Sequence, residues 1–427
     1  MKIEEFIDLA RKQGLLKLQI TEFNSYVITA NIINDKLKDY NVNEETEYQI
    51  KARRDNKYAR LNTNYLDKDI IDLLIFKFEN IETQYEDLLI DKTKPIKSDN
   101  SKIEIDHSKE INKIIELNKL RKDNSKVSSL ESMYEYSYQL KRIVNTEGQD
   151  IETSRNQFFF YIEATGEDKD NVVTIEDLIY SPSIEEMNYE EITKKVIEKV
   201  NLSLNKKEIE SKKYDIVFSS MFMSSILSLA TSAFSKTRIR EKTSCLENLI
   251  SKQIASDKIT IVEDAQNKSM PSYTKFDNEG VETYYKKIVE NGILKTYLYN
   301  NKEALIENCK STANGYDNIS VSNMYIEPGN ISLDEIVEKI DNGLYITNYM
   351  ESGGTILNVA NGEIAAQVFG FIIKDGKITN GIKSSILNTT LIEMLKNVKE
   401  VSNTVEFKTP NIGSPALLIE NMSISSN

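Results

Sequence analysis

The chain has 427 residues, with 54 Lys and Arg against 67 Asp and Glu, and a net charge of −13. Binding of a nucleic-acid backbone depends on clustered basic residues, so this acidic composition argues against a nucleic-acid-binding protein. No apolar run in the sequence approaches the ~18 residues of a membrane span, so we expect no membrane partner.

Length and composition also predict the number of domains and the compartment. The chain exceeds the roughly 250–300 residues at which one hydrophobic core stops growing, so we expect two domains. The first six residues, MKIEEF, lack the basic and then apolar pattern of a signal peptide. The two cysteines, Cys245 and Cys309, are too few for a disulfide framework, which favours a reducing cytoplasm.

The first half of the chain is predicted to hold long regular elements. Apolar spacing predicts helices near residues 3–13, 70–78, 111–117 and 189–204. Alternation predicts a hairpin within residues 16–33, strands over 46–53 and 57–62 joined by a turn at Asp55 and Asn56, and a long hairpin over 128–165. Tyr134, Tyr136 and Tyr138 share one face of that hairpin, and we interpret them as cross-strand packing. The polar segment 92–102 is predicted to be a connector.

Glycine placement predicts a second half rich in turns and strands. Twelve of the fifteen glycines lie between Gly280 and Gly413, and glycine suits positive φ and close backbone approach. Strands are predicted over 214–218, 258–263, 292–299, 345–349, 363–374 and 416–424, and helices over 221–234, 333–342 and 391–399. We therefore predict an α+β fold. An N-terminal sheet-and-helix domain, residues 1–205, precedes a strand-rich, pseudo-barrel C-terminal domain, residues 206–427.

The scarcity of histidine restricts the chemistry open to this chain. His107 is the single histidine, and zinc sites draw three or four ligands from His, Cys, Asp and Glu. We interpret His107, just ahead of the third helix, as a capping or exposed residue. Neither Cys245 nor Cys309 has a histidine nearby in sequence to activate it, so each is interpreted as a packed or surface thiol.

An ordered series of short motifs runs through the second half. In chain order they are IVED at 261–264, FDNEGV at 276–281, IVENGILKTYL at 288–298, STANG at 311–315, YIEPG at 325–329, GLYIT at 343–347, GG at 353–354, GE at 362–363 and GSPA at 413–416. In this order and spacing they resemble the TldD/PmbA family, long called modulators of DNA gyrase and now regarded as subunits of a metalloprotease.

The resemblance implies a heterodimer of two related subunits, TldD and TldE (PmbA). The catalytic subunit of that family carries His-Glu-x-x-x-His on a buried helix and a cysteine ligand near its C-terminus, and zinc lowers the pKa of a bound water towards ~7 for attack on a peptide carbonyl. In this chain the motif falls on Ser228, Leu229 and Ala233, and residues 405–415 contain no cysteine. The resemblance therefore implies a TldE-like subunit without zinc, with zinc expected in the catalytic partner.

Several residues of the second half are candidates for a peptide groove. They are Asp277, Glu279, Gly280, Asn314, Gly315, Gly353 and Gly354. Glycine lets a bound peptide backbone come close, and neighbouring carboxylates can bind a cation or exchange protons. The same residues also fit ordinary turns, in which Asp and Asn bind local backbone and Gly takes positive φ. Both interpretations remain open.

These observations predict a non-catalytic TldE/PmbA-like subunit of a cytoplasmic zinc metalloprotease complex that acts on unfolded or small peptides. Its partner would be a TldD-like catalytic subunit or a second copy of itself. One alternative is a self-sufficient hydrolase in which Asp264, Asp277 and Glu279 bind a divalent ion. Another is a homodimeric peptide-binding or regulatory module.

Overall fold

The structure is a computed structural model that describes residues 1–55, 57–80, 96–98, 100–169, 171–316, 318–350 and 356–426. Its α-helices are α1 (Ile3–Lys12), α2 (Lys68–Asn80), α3 (His107–Asn118), α4 (Tyr189–Ser203), α5 (Ser220–Ala230), α6 (Lys236–Arg240), α7 (Asn301–Ile306), α8 (Leu333–Glu338) and α9 (Leu391–Lys396). Within these ranges, none of the helices combines the length and the apolar character needed to cross a membrane.

The strands fall into an early group of long elements and a later group of shorter ones. The first group is β1 (Lys17–Ile33), β2 (Lys36–Arg54), β3 (Lys57–Thr63), β4 (Val127–Asn145), β5 (Asp150–Asp168) and β6 (Asn171–Ser181). The second group is β7 (Lys212–Phe218), β8 (Ile261–Glu263), β9 (Lys286–Glu290), β10 (Ile293–Leu294), β11 (Met324–Ile326), β12 (Asn342–Met350), β13 (Glu363–Lys374), β14 (Lys377–Gly381), β15 (Ser385–Thr390), β16 (Val398–Val401), β17 (Glu406–Phe407), β18 (Ile412–Ser414) and β19 (Leu417–Ser426).

The first six strands form one antiparallel sheet in the order β3-β2-β1-β4-β5-β6. Strands β4 and β5 form the long hairpin predicted from the sequence. Tyr134 and Tyr136 on β4 are fully buried, and Tyr136 packs on Phe158 of β5 with ring centroids 5.0 Å apart. The tyrosines at 134 and 136 therefore serve packing, as the sequence predicts.

Helices cover one face of this sheet. Phe6 of α1 and Leu74 of α2 are buried against Leu18 and Ile20 of β1, while α3 and α4 pack further along on the core that contains Tyr134. Because side chains alternate across a strand, the odd-numbered residues of β1 lie on the opposite face of the sheet. That opposite face is turned towards the second half of the chain.

Residues 16–33 form one strand rather than the predicted hairpin. The chain turns after Ile33, and β1 pairs along its whole length with β2, which is much longer than the strand predicted over 46–53. The polar residues in the middle of β1 do not form a turn because they pair across the sheet, as where the Thr46 hydroxyl donates to Asn24 Oδ1 at 2.7 Å.

Strand β6 is absent from the sequence prediction, although Val173 and Ile175 alternate along it. Asn56, half of the predicted turn, and most of the connector before residue 96 lie outside the described residues.

The second half contains a closed five-stranded barrel. Strands β12, β7, β19, β15 and β13 pair in that order, and β12 closes the ring by pairing with β13. Only β7 and β12 run parallel within the ring. Strand β14 extends from β13, and β16 pairs with β19. The predicted α+β class with a barrel in the second half is confirmed.

A second six-stranded sheet lies beside the barrel, in the order β10-β9-β8-β11-β18-β17. Helix α5 packs against β12 of the barrel and against β17 and β18 of this sheet. Its apolar residues Phe222, Ile226 and Leu227 join a core shared with both. The helix is therefore held on two sides.

Several elements of the second half are shorter than predicted, among them β8, which comprises only Ile261–Glu263 of the strand predicted over 258–263. Helix α8 ends at Glu338, and Gly343 lies in β12, where an added Cβ would come within 2.6 Å of the Asp215 carbonyl oxygen. Glycine at this position lets β12 approach β7 closely, so it does not stop the helix. The strand predicted over 292–299 comprises only Ile293–Leu294, and α9 ends at Lys396 because β16 begins two residues later.

A buried ion pair joins the two halves. Lys408 Nζ donates to Asp177 Oδ1 on β6 at 2.6 Å and to the Leu178 carbonyl oxygen at 2.7 Å. The two charged side chains are only 4% and 14% exposed. Burial alone would raise the pKa of Asp177, but the positive charges of Lys408 and Lys199 and the hydrogen bonds outweigh it, so that pKa is lowered.

We expect Lys408→Met to destabilise the protein by about 3–5 kcal/mol, because Asp177 would stay buried without its cation. The folded-state pKa of Asp177 lies below its unfolded value. The stabilisation by the pair is therefore present above the unfolded pKa of about 3.9 and is lost as pH falls through the lower folded value. Urea denaturation of both proteins at pH 7 and below pH 4 measures the difference, which should shrink in acid.

Lys194→Met is the matched control for this prediction. Lys194 pairs with Glu190 one helical turn away, and both side chains are more than half exposed, so its loss should cost less than about 0.5 kcal/mol. Equal losses in the two variants would contradict a special role for the buried pair.

Candidate functional site

Helix α5 begins directly after strand β7, at the place where the resemblance puts the zinc motif. The Ser219 hydroxyl accepts from the Phe222 amide at 3.2 Å and donates to the Thr347 carbonyl oxygen at 2.9 Å. This cap ties the helix to β12. The α-helix ends at Ala230 and continues as a 3₁₀ turn, Thr231–Phe234, so it is shorter than the helix predicted over 221–234.

The three motif positions lie in different surroundings. Ser228 and Leu229 are exposed, whereas Ala233, in the 3₁₀ turn, is buried. One hydroxyl and two hydrocarbon side chains cannot replace the imidazole, thiolate or carboxylate ligands of zinc. The side chains present on α5 therefore do not fit a zinc ion.

The stretch 405–415 lies beside α5. It contains β17 and β18, both of which contact this helix. A cysteine in this stretch would be close to the helix, as the resemblance implies for the catalytic subunit, but residues 405–415 contain none.

The two cysteines lie elsewhere in the second half. Cys245 is half-buried beside Gly362, where an added Cβ would approach Sγ to 3.3 Å. Burial raises the pKa of the Cys245 thiol, which disfavours the reactive thiolate. Cys309 is exposed at the surface.

His107 lies in the first half, as the first residue of α3 rather than ahead of it. The helix is capped by Asp106, which accepts from the Lys109 amide at 3.1 Å, and not by His107. The His107 ring hydrogen-bonds the Tyr134 hydroxyl at 2.9 Å and packs on Tyr136. Burial lowers the pKa of His107.

The candidate groove residues Asp277 and Gly315 are brought together by a buried hydrogen-bond network. Asp277 is fully buried, and its Oδ1 accepts from the amides of Glu279 and Val281, both at 2.9 Å. Its Oδ2 accepts from the Gly315 amide at 2.8 Å. Glu279 Oε2 accepts from the Asn301 amide at 2.8 Å. These contacts join the turn 277–281 to the loop 311–316.

Asn314 belongs to a second part of the same network. Its Nδ2 donates to Glu263 Oε2 and to the Ser320 carbonyl oxygen, at 2.8 and 2.7 Å. Glu263 is fully buried and forms an ion pair with Lys286 at 2.8 Å. Asn314 and residues 320–322 are thereby fixed to strands β8 and β9.

Glycine is required at positions 280 and 315 for different structural reasons. Gly280 has φ of +79°, which glycine adopts without strain. At Gly315 an added Cβ would lie 2.2 Å from Glu279 Oε2, so the buried carboxylate leaves no room for a side chain at this position. Gly353 and Gly354 lie outside the described residues. The groove assignment of the whole set stays a prediction, since the described members are directed at each other and at the backbone.

The carboxylates proposed for a divalent ion do not converge. Asp264 accepts from Asn267 Nδ2 at 3.0 Å, while Asp277 and Glu279 accept from backbone amides. In the part of the chain that the structure describes, no three His, Cys, Asp or Glu side chains are grouped so that they could hold a metal ion.

Two cavities lie where the halves of the chain meet. The larger, about 640 Å³, is bordered by the uncovered face of the first sheet, by residues 272–274 and Asn278, and by Tyr316 and residues 320–322. Asn278 and Tyr316 form part of its wall, directly beside Asp277 and Gly315. The smaller, about 340 Å³, is bordered by β6, by the start of α5 at Ser219–Met221 and by β12. Sequence reasoning did not predict these cavities, because their walls come from segments far apart in the chain.

Comparison with known proteins identifies related families and folds. The model of the PmbA/TldA metallopeptidase C-terminal domain matches residues 211–426, and that of the central domain matches residues 98–204. A metalloprotease PmbA homolog of Buchnera aphidicola subsp. Acyrthosiphon pisum is 28% identical, over 67% of this chain and 67% of that protein. A metalloprotease TldD homolog of Buchnera aphidicola subsp. Schizaphis graminum is 31% identical, over 39% of this chain and only 36% of its own length.

A solved structure shares the whole fold. TldE from Thermococcus kodakarensis matches with a TM-score of 0.87 and 21% identity, over 99% of both chains. At this identity the likeness concerns the fold alone.

We expect Gly315→Ala to destabilise the protein by about 1–3 kcal/mol, because the new methyl group overlaps the Glu279 carboxylate. In a Glu279→Ala background the same substitution should cost much less, since the obstructing group is gone. Urea denaturation of the four proteins gives the coupling energy. Equal costs in both backgrounds would show that the contact does not limit residue 315.

Proposed function

The chain belongs to the PmbA/TldA metallopeptidase family, and on that premise we propose that it is a TldE/PmbA-like, non-catalytic subunit of a TldD/TldE-type metalloprotease complex. Its partner is a TldD-like subunit that supplies the zinc and the activated water. The substrate is an unfolded or small peptide, and this chain provides part of the enclosure around it.

One observation supports the non-catalytic role: the positions that the resemblance assigns to the zinc motif, on α5 and the 3₁₀ turn after it, carry Ser228, Leu229 and Ala233. Helix α5 itself is well packed, against β12, β17 and β18. In this proposal the chain keeps the scaffold of the site without the zinc ligands. Such a scaffold is suited to forming walls beside a partner's active site.

Peptide binding by strand addition is supported by strand β6. It is the last strand of its sheet, with β5 as its only ladder partner among the described residues. An edge strand presents unpaired amide and carbonyl groups to an extended chain, and on β6 the exception is Leu178, whose carbonyl oxygen accepts from Lys408 and whose amide donates to Asp177. Each added main-chain hydrogen bond contributes only ~0.5–1.5 kcal/mol and reads no side chain, so the proposed binding has little sequence preference. The 340 Å³ cavity places this edge beside the start of α5.

Several of the candidate groove residues lie behind the wall of the larger cavity. Asp277, Glu279, Asn314 and Gly315 support the wall of the larger cavity from behind, so a bound peptide would contact their neighbours Asn278 and Tyr316 first. The division at residue 205 separates the sheet β1–β6 from the barrel, and a peptide enclosed between the two parts would contact both.

The isolated chain should contain no stoichiometric zinc and should not cleave peptides. Mixing it with a family member that carries His-Glu-x-x-x-His should give a stable complex with zinc-dependent cleavage of an unstructured fluorogenic peptide. Metal analysis, size-exclusion chromatography with light scattering and a peptidase assay measure the three results.

Matched variants assign the activity to one subunit. Replacing the motif Glu of the partner by Gln should abolish cleavage, whereas Ser228→Ala in this chain should leave it unchanged. Zinc-dependent cleavage by this chain alone would overturn the proposal. An ion bound to the isolated chain and lost in Asp277→Asn would support the carboxylate hydrolase instead, and a stable homodimer that does not bind the partner would support the regulatory module.

A further inference from the structure

The larger cavity carries positive charge on one wall. Lys141 of β4 and Arg155 of β5 both line it. The register pairs Lys141 with Thr153 and Gln139 with Arg155, so the two cations are diagonal neighbours on one face of the sheet. The volume of about 640 Å³ is in the range of small-molecule sites.

Arg155 is held in position but is not neutralised. Gln139 Oε1 accepts from its Nε and Nη2 at 3.1 and 2.7 Å, which leaves three of the five guanidinium N–H groups for another acceptor. No carboxylate among the described residues forms an ion pair with it. The side chain keeps some surface open to the cavity, yet the protein around it is dense enough that burial lowers the pKa of Arg155.

Lys141 adds a second hydrogen-bond donor, which forms no ion pair within the described ranges, and burial together with Glu279 raises the pKa of the neighbouring Asp277 to about 7. Lys141 Nζ donates to the Phe276 carbonyl oxygen at 2.7 Å and to Asn278 Oδ1 at 3.1 Å, so one of its three N–H groups remains. Burial lowers the pKa of Lys141 to about 7, although the negative charge of Asp277 opposes this. Asp277 itself is already bound by three backbone amides.

The opposite wall supplies a hydroxyl donor. The Tyr316 hydroxyl is buried and makes no hydrogen bond of normal geometry with any described residue. The neighbouring Ser322 hydroxyl donates instead to the Ser272 carbonyl oxygen. Burial and the negative charges of Glu263 and Asp277 raise the pKa of Tyr316 well above 10, so the hydroxyl keeps its proton.

The acidic side chains near the cavity do not neutralise the positive charge of Arg155 on its wall. Among the described lining residues the single acid is Glu47, whose side chain is exposed. Glu263 is bound by Lys286, Asn314 and the Ser322 amide. The site thus offers an orientated guanidinium, the Lys141 amino group and the Tyr316 hydroxyl to a ligand that accepts hydrogen bonds and carries negative charge.

We propose that this cavity binds a carboxylate, with Arg155 as its principal partner and Tyr316 and Lys141 as additional donors. The planar guanidinium edge matches the two oxygens of a carboxylate. The ligand is a small carboxylic acid or the C-terminal carboxylate of a short peptide. Carboxylate binding at this site requires neither that the chain lack zinc nor that it have a protease partner, so it can be tested on the isolated chain.

Isothermal titration calorimetry with four probes tests the proposal: N-acetyl-trialanine with a free C-terminus, the same peptide as its amide, acetate and inorganic phosphate. The free-acid peptide should bind at least about tenfold more tightly than the amide, since a charge-assisted hydrogen-bonded pair is lost in the amide. Tighter binding of this peptide than of acetate identifies a peptide end as the ligand, and equal binding identifies a small carboxylic acid. Phosphate binding tighter than both carboxylates would overturn the assignment.

Variants locate the site within the cavity. Arg155→Met should weaken binding of the free-acid peptide by about tenfold or more, whereas Arg238→Met, which removes an exposed arginine of α6, should leave it unchanged. Tyr316→Phe removes only the hydroxyl, and a loss of threefold or more is expected with an unaltered circular dichroism spectrum. Wild-type affinity in both Arg155→Met and Tyr316→Phe, or equal affinity for the acid and the amide, would refute the proposal.

Discussion

Hydrogen bonds to two buried carboxylates, Asp277 and Glu263, hold separate segments of the second half of this protein together. An ionised carboxylate buried without hydrogen bonds or a cation is strongly destabilising. Asp277 accepts from three backbone amides, although burial and the charge of Glu279 still raise its pKa to about 7. Glu263 is bound by a lysine, an asparagine and an amide. Because those donors come from separate loops, satisfying the two acids fixes the loops against strands β8 and β9. The walls of the larger cavity are built from these fixed loops.

Helix α5 is held in place without its exposed side chains. It is positioned by Ser219, by apolar contacts and by β12, none of which involves Ser228 and Leu229. The nearby Ala233, in the 3₁₀ turn after the helix, is by contrast part of the core. The position of α5 therefore does not depend on the side chains at residues 228 and 229.

Much of the fold could be predicted from the sequence, and the reasons for the failures are physical. Periodicity located α4, the β4–β5 hairpin and the start of α5, because each buries one regular apolar face. It failed at β1, whose central polar residues pair across the sheet, and at Gly343, whose role depends on the neighbouring strand. The network around Asp277 was visible as an ordered motif. The grouping of Lys141 and Arg155 with Tyr316 was not, since it combines the register of the hairpin with a loop more than a hundred residues away.

The place of β19 in the barrel has a consequence for synthesis on the ribosome. This strand lies between β7 and β15 and is the last in chain order. Until it emerges, β7 and β15 each expose an unpaired edge, and the ring cannot close. The nascent second half therefore keeps these two strand edges unpaired until β19 has been translated, and unpaired edges of this kind favour aggregation.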